Sequence, residues 1–380
     1  MILTAYSIIM LLFWTGVSLY LIINCRKIVY LKDQTPLDEK SCPAVTVIIA
    51  VKDEEADVED ALHSVCELDY PNYNIIVIND RSTDTTSAIL SRMASKHPRL
   101  HIINVEELPQ GWLGKNHALY QGYKASSDEW LLFTDADVLF EKGALKKSMR
   151  YVLQKQLDHL TMFAQITSRS SLFKGVMNTF ALMLDIKLRP WEISNPSSKA
   201  SLGVGAFNLV KREAYEKAGT HSVISLRPDD DLKLGERVKS AGFKQDVLYG
   251  EKEIALEWYT SLQQFVNGLM KNMFSVSNYQ VGTAIGTAIS TFLILVLPVP
   301  LLLLSGSLYQ LMGVVILIAQ VLLMLLKKGI AAKWWHALLI PFSGLVMVYI
   351  IIKSTWLTIK QGGIYWRDSF YPLTELRKQV

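Results

Sequence analysis

Hydrophobic residues follow two different patterns along this chain. Residues 2 to 23 (ILTAYSIIMLLFWTGVSLYLII) carry no charge, and a helix of that length rises roughly 33 Å, enough to cross a bilayer core of about 30 Å. A second uncharged stretch runs from Asn272 to Leu326, long enough for two spans, with Pro298 and Pro300 near the bend; a third covers Trp334 to Ile352. Between these blocks the apolar residues come in short runs separated by charged segments. Ala44 to Val51, Asn74 to Ile78, Leu100 to Val105 and Trp130 to Thr134 read as strands, and Glu54 to Glu67, Thr85 to Ser95 and His117 to Lys124 as helices. Strands alternating with helices imply right-handed crossovers, so the soluble part is predicted to be α/β, a doubly wound, mostly parallel sheet.

The resulting division is an anchor over 1–26, one soluble domain over 41–255, an amphipathic interfacial segment over 256–278, about three membrane helices over 279–356 and a tail over 357–380. No small-residue cleavage site precedes the basic residues Arg26, Lys27 and Lys32 that follow the first apolar run, so the anchor is expected to be retained. Basic residues favour the cytoplasmic side of short loops, which places the soluble domain inside the cell and the loop with Lys327, Lys328 and Lys333 inside as well. Four full crossings would then put the basic tail outside. Either the last apolar segment, with its Pro341, re-enters or lies at the interface, or one span is misassigned.

Charge and cysteine content narrow the partners. A net charge of +4, without interleaved aromatic and basic residues, fits a rim against anionic lipid rather than a nucleic-acid groove. The three cysteines, Cys25, Cys42 and Cys66, form neither a disulfide framework nor a metal pair. Cys25 beside the anchor reads as a bare thiol in preference to an acylation site. The seven histidines offer no ligand set, and Pro98 separates His97 from His101. No serine or cysteine nucleophile motif and no GxxxxGK[ST] phosphate loop is present.

What remains is acidic. Ligands of doubly wound sheets bind beyond the carboxyl ends of the strands, and three strand ends here carry acids: Lys52-Asp53-Glu54, Asn79-Asp80 and Asp135-Ala136-Asp137. The last pair can share a hard cation and leave positions for phosphate oxygens. In INDRSTDTT, Ser82 and Asp84 suit a turn and helix cap, whereas Asp80 is placed to accept hydrogen bonds from a base or ribose. Lys115 ends a loop with two glycines just before a helix, where it could meet a phosphate or simply face solvent. Asp229-Asp230-Asp231 opens an amphipathic helix carrying Leu232, Leu234, Val238 and Ala241. Acids suit a helix start, but three in a row repel, so one should be held protonated to unusually high pH, useful for a general base.

In this order, VTVIIAVKDEE, INDRSTDTT, WLGKNHALYQG, TDADV, LGVGAFNLVKREAYEKAG and DDDLKLGERVKSAGFK resemble the motifs of family 2 glycosyltransferases with a GT-A fold, over roughly residues 43 to 250. The flanking spans and YWRDSFYPL resemble membrane-bound members that glycosylate lipids, of carotenoid and hopanoid type. The resemblance implies a nucleotide-sugar donor, a UDP-sugar first, with Asp80 on the base and Ala50, Asp53 and Glu54 lining the nucleoside site. It implies Asp135 on the ribose or assisting a divalent cation (Mg2+ or Mn2+), Asp137 as the metal ligand and Lys115 beside the diphosphate. The family's Glu-Asp pair falls on Asp230-Asp231, making Asp231 the base, with Asp230 in reserve, in a single inverting displacement. Ala50 stands where the family has proline, and Lys52-Asp53 where it has Arg-Asn. The QxxRW motif of processive synthases would fall near QQFVNGLMKN and is absent, with Lys271 a partial replacement for its charge. Single transfer to a membrane lipid or terpenoid in the cell membrane is the reading; a polysaccharide synthase or a non-catalytic scaffold is the alternative.

Overall fold

The computed structural model describes residues 1–366 and 369–379, apart from the side chains of 271, 272, 366, 369 and 379. Arg367 and Asp368 of the C-terminal motif, and the Lys271 side chain, therefore lie outside the described residues. In chain order the elements are α1 (Ile2–Asn24), β1 (Val45–Val51), α2 (Val58–Cys66), β2 (Tyr73–Asp80), α3 (Thr86–Lys96), β3 (Leu100–Val105), α4 (Gly114–Ala125), β4 (Trp130–Thr134) and β5 (Leu139–Phe140). Next come α5 (Ala144–Lys155), β6 (His159–Phe163), β7 (Gln165–Ile166), α6 (Ser171–Leu188), β8 (Asn208–Lys211), α7 (Arg212–Lys217), α8 (Asp230–Ser240), β9 (Gln245–Tyr249) and β10 (Ile254–Leu256). The C-terminal part contains α9 (Leu262–Val276), α10 (Val281–Thr291), α11 (Pro298–Leu303), α12 (Ser307–Leu326), α13 (Ile340–Gln361), β11 (Gly363–Trp366), β12 (Ser369–Pro372) and α14 (Leu373–Leu376).

The central sheet has the order β3-β2-β1-β4-β8-β6-β9. All neighbours pair in parallel except β8, which is antiparallel to both β4 and β6. Both faces are covered, which is why the strands read as unbroken apolar runs. Val45, Val47 and Ile49 pack with α2, α3 and α5, whereas Ile48, Ile78, Leu131 and Phe133 pack with α4, α7 and α8. A side chain at Gly122 would collide with Ile48 and Ile78, so glycine lets α4 lie close on the sheet. Strand order reverses at β1, with β2 on one side and β4 on the other. The crevice beyond the ends of β1 and β4 is the switch point at which such sheets bind ligands.

Outside this domain, three helices are long and apolar enough to cross a membrane: Ile2–Lys27, Ser307–Leu326 and Trp334–Gln361. The stretch expected to hold two spans contains one continuous helix, α12, preceded by a broken one. Here α10 runs through a π-turn (Phe292–Val296) into α11. Pro298 causes the break, because it has no N–H to offer the Ile294 carbonyl. That carbonyl instead accepts from Trp14 Nε1 of α1 at 3.0 Å, and the neighbouring Leu293 carbonyl accepts from the Tyr6 hydroxyl at 2.7 Å. Pro341 lies in the first turn of α13 and so starts that helix rather than breaking it. Cys25 is fully buried, which agrees with its reading as a bare thiol.

Candidate active site

Four elements deliver the acidic residues to the switch point. β4 ends at Thr134, whose hydroxyl donates to the Ala206 carbonyl at 2.8 Å, and the chain then turns through Asp135 to Asp137. From the α4 N-terminus, Lys115 Nζ reaches Asp135 Oδ1 at 2.7 Å and Asp230 Oδ1, in the first turn of α8, at 3.6 Å. Asp231 Oδ2 accepts the Gly205 N–H at 2.8 Å, and its Oδ1 accepts the Leu232 N–H at 2.8 Å. Together Lys115, Asp135, Gly205, Asp230 and Asp231 line one small cavity with Thr134, Asn208 and His221.

The charges here act strongly on one another. Burial alone would depress the Lys115 ammonium, but the carboxylates of Asp135, Asp230 and Asp231 outweigh it and hold the lysine protonated. Burial pushes the Asp230 carboxyl up to about 7, against the pull of Lys115 and with help from Asp231 and Asp135. Asp231 is also raised, chiefly by burial, with Lys115 opposing. Thus the run of three acids does contain a group poised near neutral pH, Asp230, beside a second raised carboxyl, Asp231. The buried Arg227 guanidinium holds Asp229 in a fork at 2.9 and 2.8 Å, and this pair braces the loop before α8.

Asp137 lies on the other side of Asp135. Burial first, then the charges of Asp135 and Glu54, push its carboxyl up to about 7. Three carboxylates with Lys115 as their cation make this corner short of positive charge, which fits a divalent ion held by Asp137 and Asp135. Among the described residues no three acidic, histidine or cysteine side chains converge as a ready-made metal cage, so the remaining ligands would come from a diphosphate and water.

The residues expected to meet a nucleoside lie at the ends of β1 and β2. Asp80 is buried at the β2 end and takes a two-pronged ion pair from Arg81 at 2.8 and 3.1 Å. A Cβ at Gly114 would collide with the Asp80 carboxylate, so glycine there brings Asp80 and the Lys115 loop together. Asp53 adopts φ 51° and accepts from the Thr83 N–H at 2.7 Å, while its own N–H donates to Ser82 Oγ at 3.0 Å. It ties the two strand-end loops together through Oδ1 and remains exposed. The Glu54 N–H donates to Thr86 Oγ1 at 3.0 Å; Thr85 holds the cap position of α3, and Asp84, one residue earlier, accepts the Thr86 N–H through Oδ1 at 3.0 Å. Ala50 is half-buried on β1 opposite Ile78.

Sequence reasoning missed two groups. Gly205 fixes Asp231 by its backbone N–H, and a Cβ there would strike the Asp135 carboxylate. The paired glycines of LGVG were the available signal. His221, buried against Lys115 and bonded through Nδ1 to the Tyr215 hydroxyl at 2.6 Å, had no signal in the sequence.

A doubly wound α/β domain with acids from four chain segments gathered at its switch point belongs to the class of nucleotide-handling folds. Residues 46–219 match the family model described as Glycosyl transferase family 2. It is similar to the 4,4'-diaponeurosporenoate glycosyltransferase of Staphylococcus aureus (strain USA300), 27% identical over 234 residues, which are 60% of this chain and 60% of that relative's length. The mannosyltransferase PcManGT from Pyrobaculum calidifontis, solved in complex with GDP-Man and Mn2+, superposes with a TM-score of 0.61 at 18% identity, over 93% of this chain and 99% of that one. That superposition establishes the GT-A fold.

Proposed function

We propose that the protein is an inverting glycosyltransferase that moves a hexose from a nucleotide-diphosphate sugar to a lipid or terpenoid acceptor in the membrane. The observation that carries this reading is the Lys115–Asp135–Asp230–Asp231 cluster at the sheet's switch point. Asp80, Ala50, Asp53 and Glu54 would frame the nucleoside, and Lys115 would move onto the diphosphate. A divalent cation, Mg2+ or Mn2+, held by Asp137 and Asp135, would neutralise charge on the leaving diphosphate. Asp231, fixed by two backbone N–H groups, takes the proton of an acceptor hydroxyl as its oxygen attacks the anomeric carbon opposite the leaving group, and one displacement inverts the configuration. The domain would face the cytoplasm, where nucleotide sugars are expected, with its anchor in the cell membrane.

Support for a lipid acceptor comes from both the relative's name and the surroundings of Asp137. Tyr259 feels the Asp137 charge and is pushed up to about 12, burial being the larger cause. It joins an aromatic group of Trp258, Phe180, Phe173 and Phe265 between α6 and α9. Phe173, Phe180 and Phe265 are buried, so the half-buried Trp258 and Tyr259 are the members that would meet an apolar acceptor. If the acceptor is a carboxylate, as the relative's name says of that protein's substrate, it is already ionised and needs no base; a hydroxyl needs one. The test is to incubate the purified full chain with labelled UDP- and GDP-sugars and membrane lipid, then resolve the products by mass. Asp231→Asn should abolish transfer to a hydroxyl while leaving donor binding, and Asp137→Ala should weaken cation-dependent donor binding. Wild-type transfer in both variants would remove the mechanism.

A further inference from the structure

Helix α13 and its preceding turn, Trp334–Gln361, have the length and composition of a membrane span. Their contacts describe something else. Depth can be read from α1, whose end at Cys25–Lys27 leads directly into the α/β domain, with Tyr30 bridging to Tyr249 of β9. At the far end of α1, Thr4 bonds Tyr309 at the start of α12. α12 then returns to the domain, where Lys327 pairs with Asp185 of α6 at 2.8 Å and Lys328 lies over the Tyr30 ring. The broken helix α10–α11 makes the outward journey. It starts beside Tyr279, meets Trp14 at Ile294, and ends with Leu302 and Leu303 near Gly313.

Both ends of α13, by contrast, are on the domain's side. In the turn before it, His336 Nδ1 bonds Asn178 Nδ2 at 3.1 Å and Nε2 meets Ser171 Oγ at 3.4 Å, both on α6, the helix that also holds Lys327. Near its end, Ser354 Oγ donates to the Met270 carbonyl and accepts the Phe274 N–H on α9. Ile351 then packs in one cluster with Ile364, Leu113 and Leu226, the last two from loops of the α/β domain. A helix of 22 residues is roughly 33 Å long, so a crossing helix would carry one end a full bilayer core away from the domain. The deepest neighbours of α13 are Leu295 and Val296, beside Gly344. They follow Ile294 at the level of Trp14, about 15 Å from the domain end of α1.

We infer that α13 does not cross the membrane but lies within the domain-side leaflet, its outer face against lipid and its inner face against α6 and α9. Phe342, Leu345, Tyr349, Ile352, Trp356 and Ile359 are exposed at three- and four-residue spacing, a continuous stripe along one face. The basic residues beside it are placed for the headgroup region: Lys353 Nζ donates to the Tyr349 hydroxyl at 2.8 Å, and Lys360 lies over Trp356. The chain then crosses three times, through α1, α10–α11 and α12. The basic tail stays with the domain, where Arg377 bonds the Tyr279 carbonyl at 3.1 Å and Leu376 packs in the cluster holding Leu113, two residues before Lys115. Opposing signals in the loop charges are thereby reconciled.

Cysteine accessibility tests this in the full-length protein, in sealed vesicles of known orientation and a Cys66→Ser background, using a membrane-impermeant maleimide. Lys142→Cys reports the domain, Ser305→Cys the turn between α11 and α12, and Lys378→Cys the tail. Labelling of positions 142 and 378 from one side and 305 from the other is the expected result. Labelling of 378 with 305, or of 305 with 142, overturns the inference. A spin label at Ile352→Cys should report a depth in the domain-side leaflet; a position beyond the midplane also overturns it.

Discussion

Removing the cation at the centre of the acidic cluster gives a pH-dependent loss of stability whose size follows from the geometry. In Lys115→Met the partner of three carboxylates becomes apolar while the volume is nearly kept. The contact with Asp135 is partly solvated, with 29% and 37% of the two side chains exposed, so it contributes about 1 kcal/mol. Asp230 has only 5% of its side chain exposed and sits beside Asp231, so leaving it ionised without a cation costs more, about 2 to 3 kcal/mol. Protonation limits that cost. With its carboxyl at about 7 in the intact site, Asp230 is protonated near pH 5.5 whether or not the lysine is present. There only the Asp135 contact, about 1 kcal/mol, is lost. Near pH 8.5 the intact site is ionised and paired, while the variant must either bear the charge or hold an extra proton. Relative to its own unfolded state, the folded variant therefore binds more protons than the wild type does, and its stability falls faster as pH rises. The destabilisation should grow from about 1 kcal/mol at pH 5.5 to about 3 to 4 kcal/mol at pH 8.5. Denaturant unfolding in detergent with a chelator, followed by tryptophan fluorescence at both pH values, measures this. A destabilisation independent of pH, or one that shrinks as pH rises, would refute the picture of Lys115 as counter-ion to buried acids.

Other expectations follow from single contacts. Gly205→Ala should cut transfer at least tenfold and cost about 1 to 3 kcal/mol, because its methyl would strike the Asp135 carboxylate and displace the N–H that holds Asp231; steady-state rates and melting curves read both. Asp231→Asn should lower transfer to a hydroxyl acceptor by about 100- to 10,000-fold with donor affinity unchanged, and titration of the donor separates binding from turnover. Buried His159, bonded to Asn208 and Gln245, is pushed down to about 4 by burial, so its neutral form is favoured by folding. Its contribution of about 3 kcal/mol is present above pH 6.5 and is lost as pH falls from there toward 4. A His159→Gln variant should lose part of this acid sensitivity in melts across that range.

The amino-acid sequence alone determined the elements and much of the site. β3 and β4 fall on the expected residues, and β1 and β2 within a few, because strands buried on both faces must be continuous apolar runs and their ends must be polar. The acids at those ends were legible for the same reason, since a doubly wound sheet exposes its carboxyl edge to ligand. Pairings between distant segments were not legible. That Asp229 serves Arg227 while Asp230 and Asp231 face Lys115 depends on how the first turn of α8 is rotated, and three identical residues in a row do not encode it. Gly205 acts through a backbone N–H, a group every residue but proline possesses. Hydropathy, likewise, measures how apolar a helix is and not where its ends are held. α13 qualifies as a span by composition, and only the tertiary structure shows that both its ends are held, through His336 and Ser354, against α6 and α9.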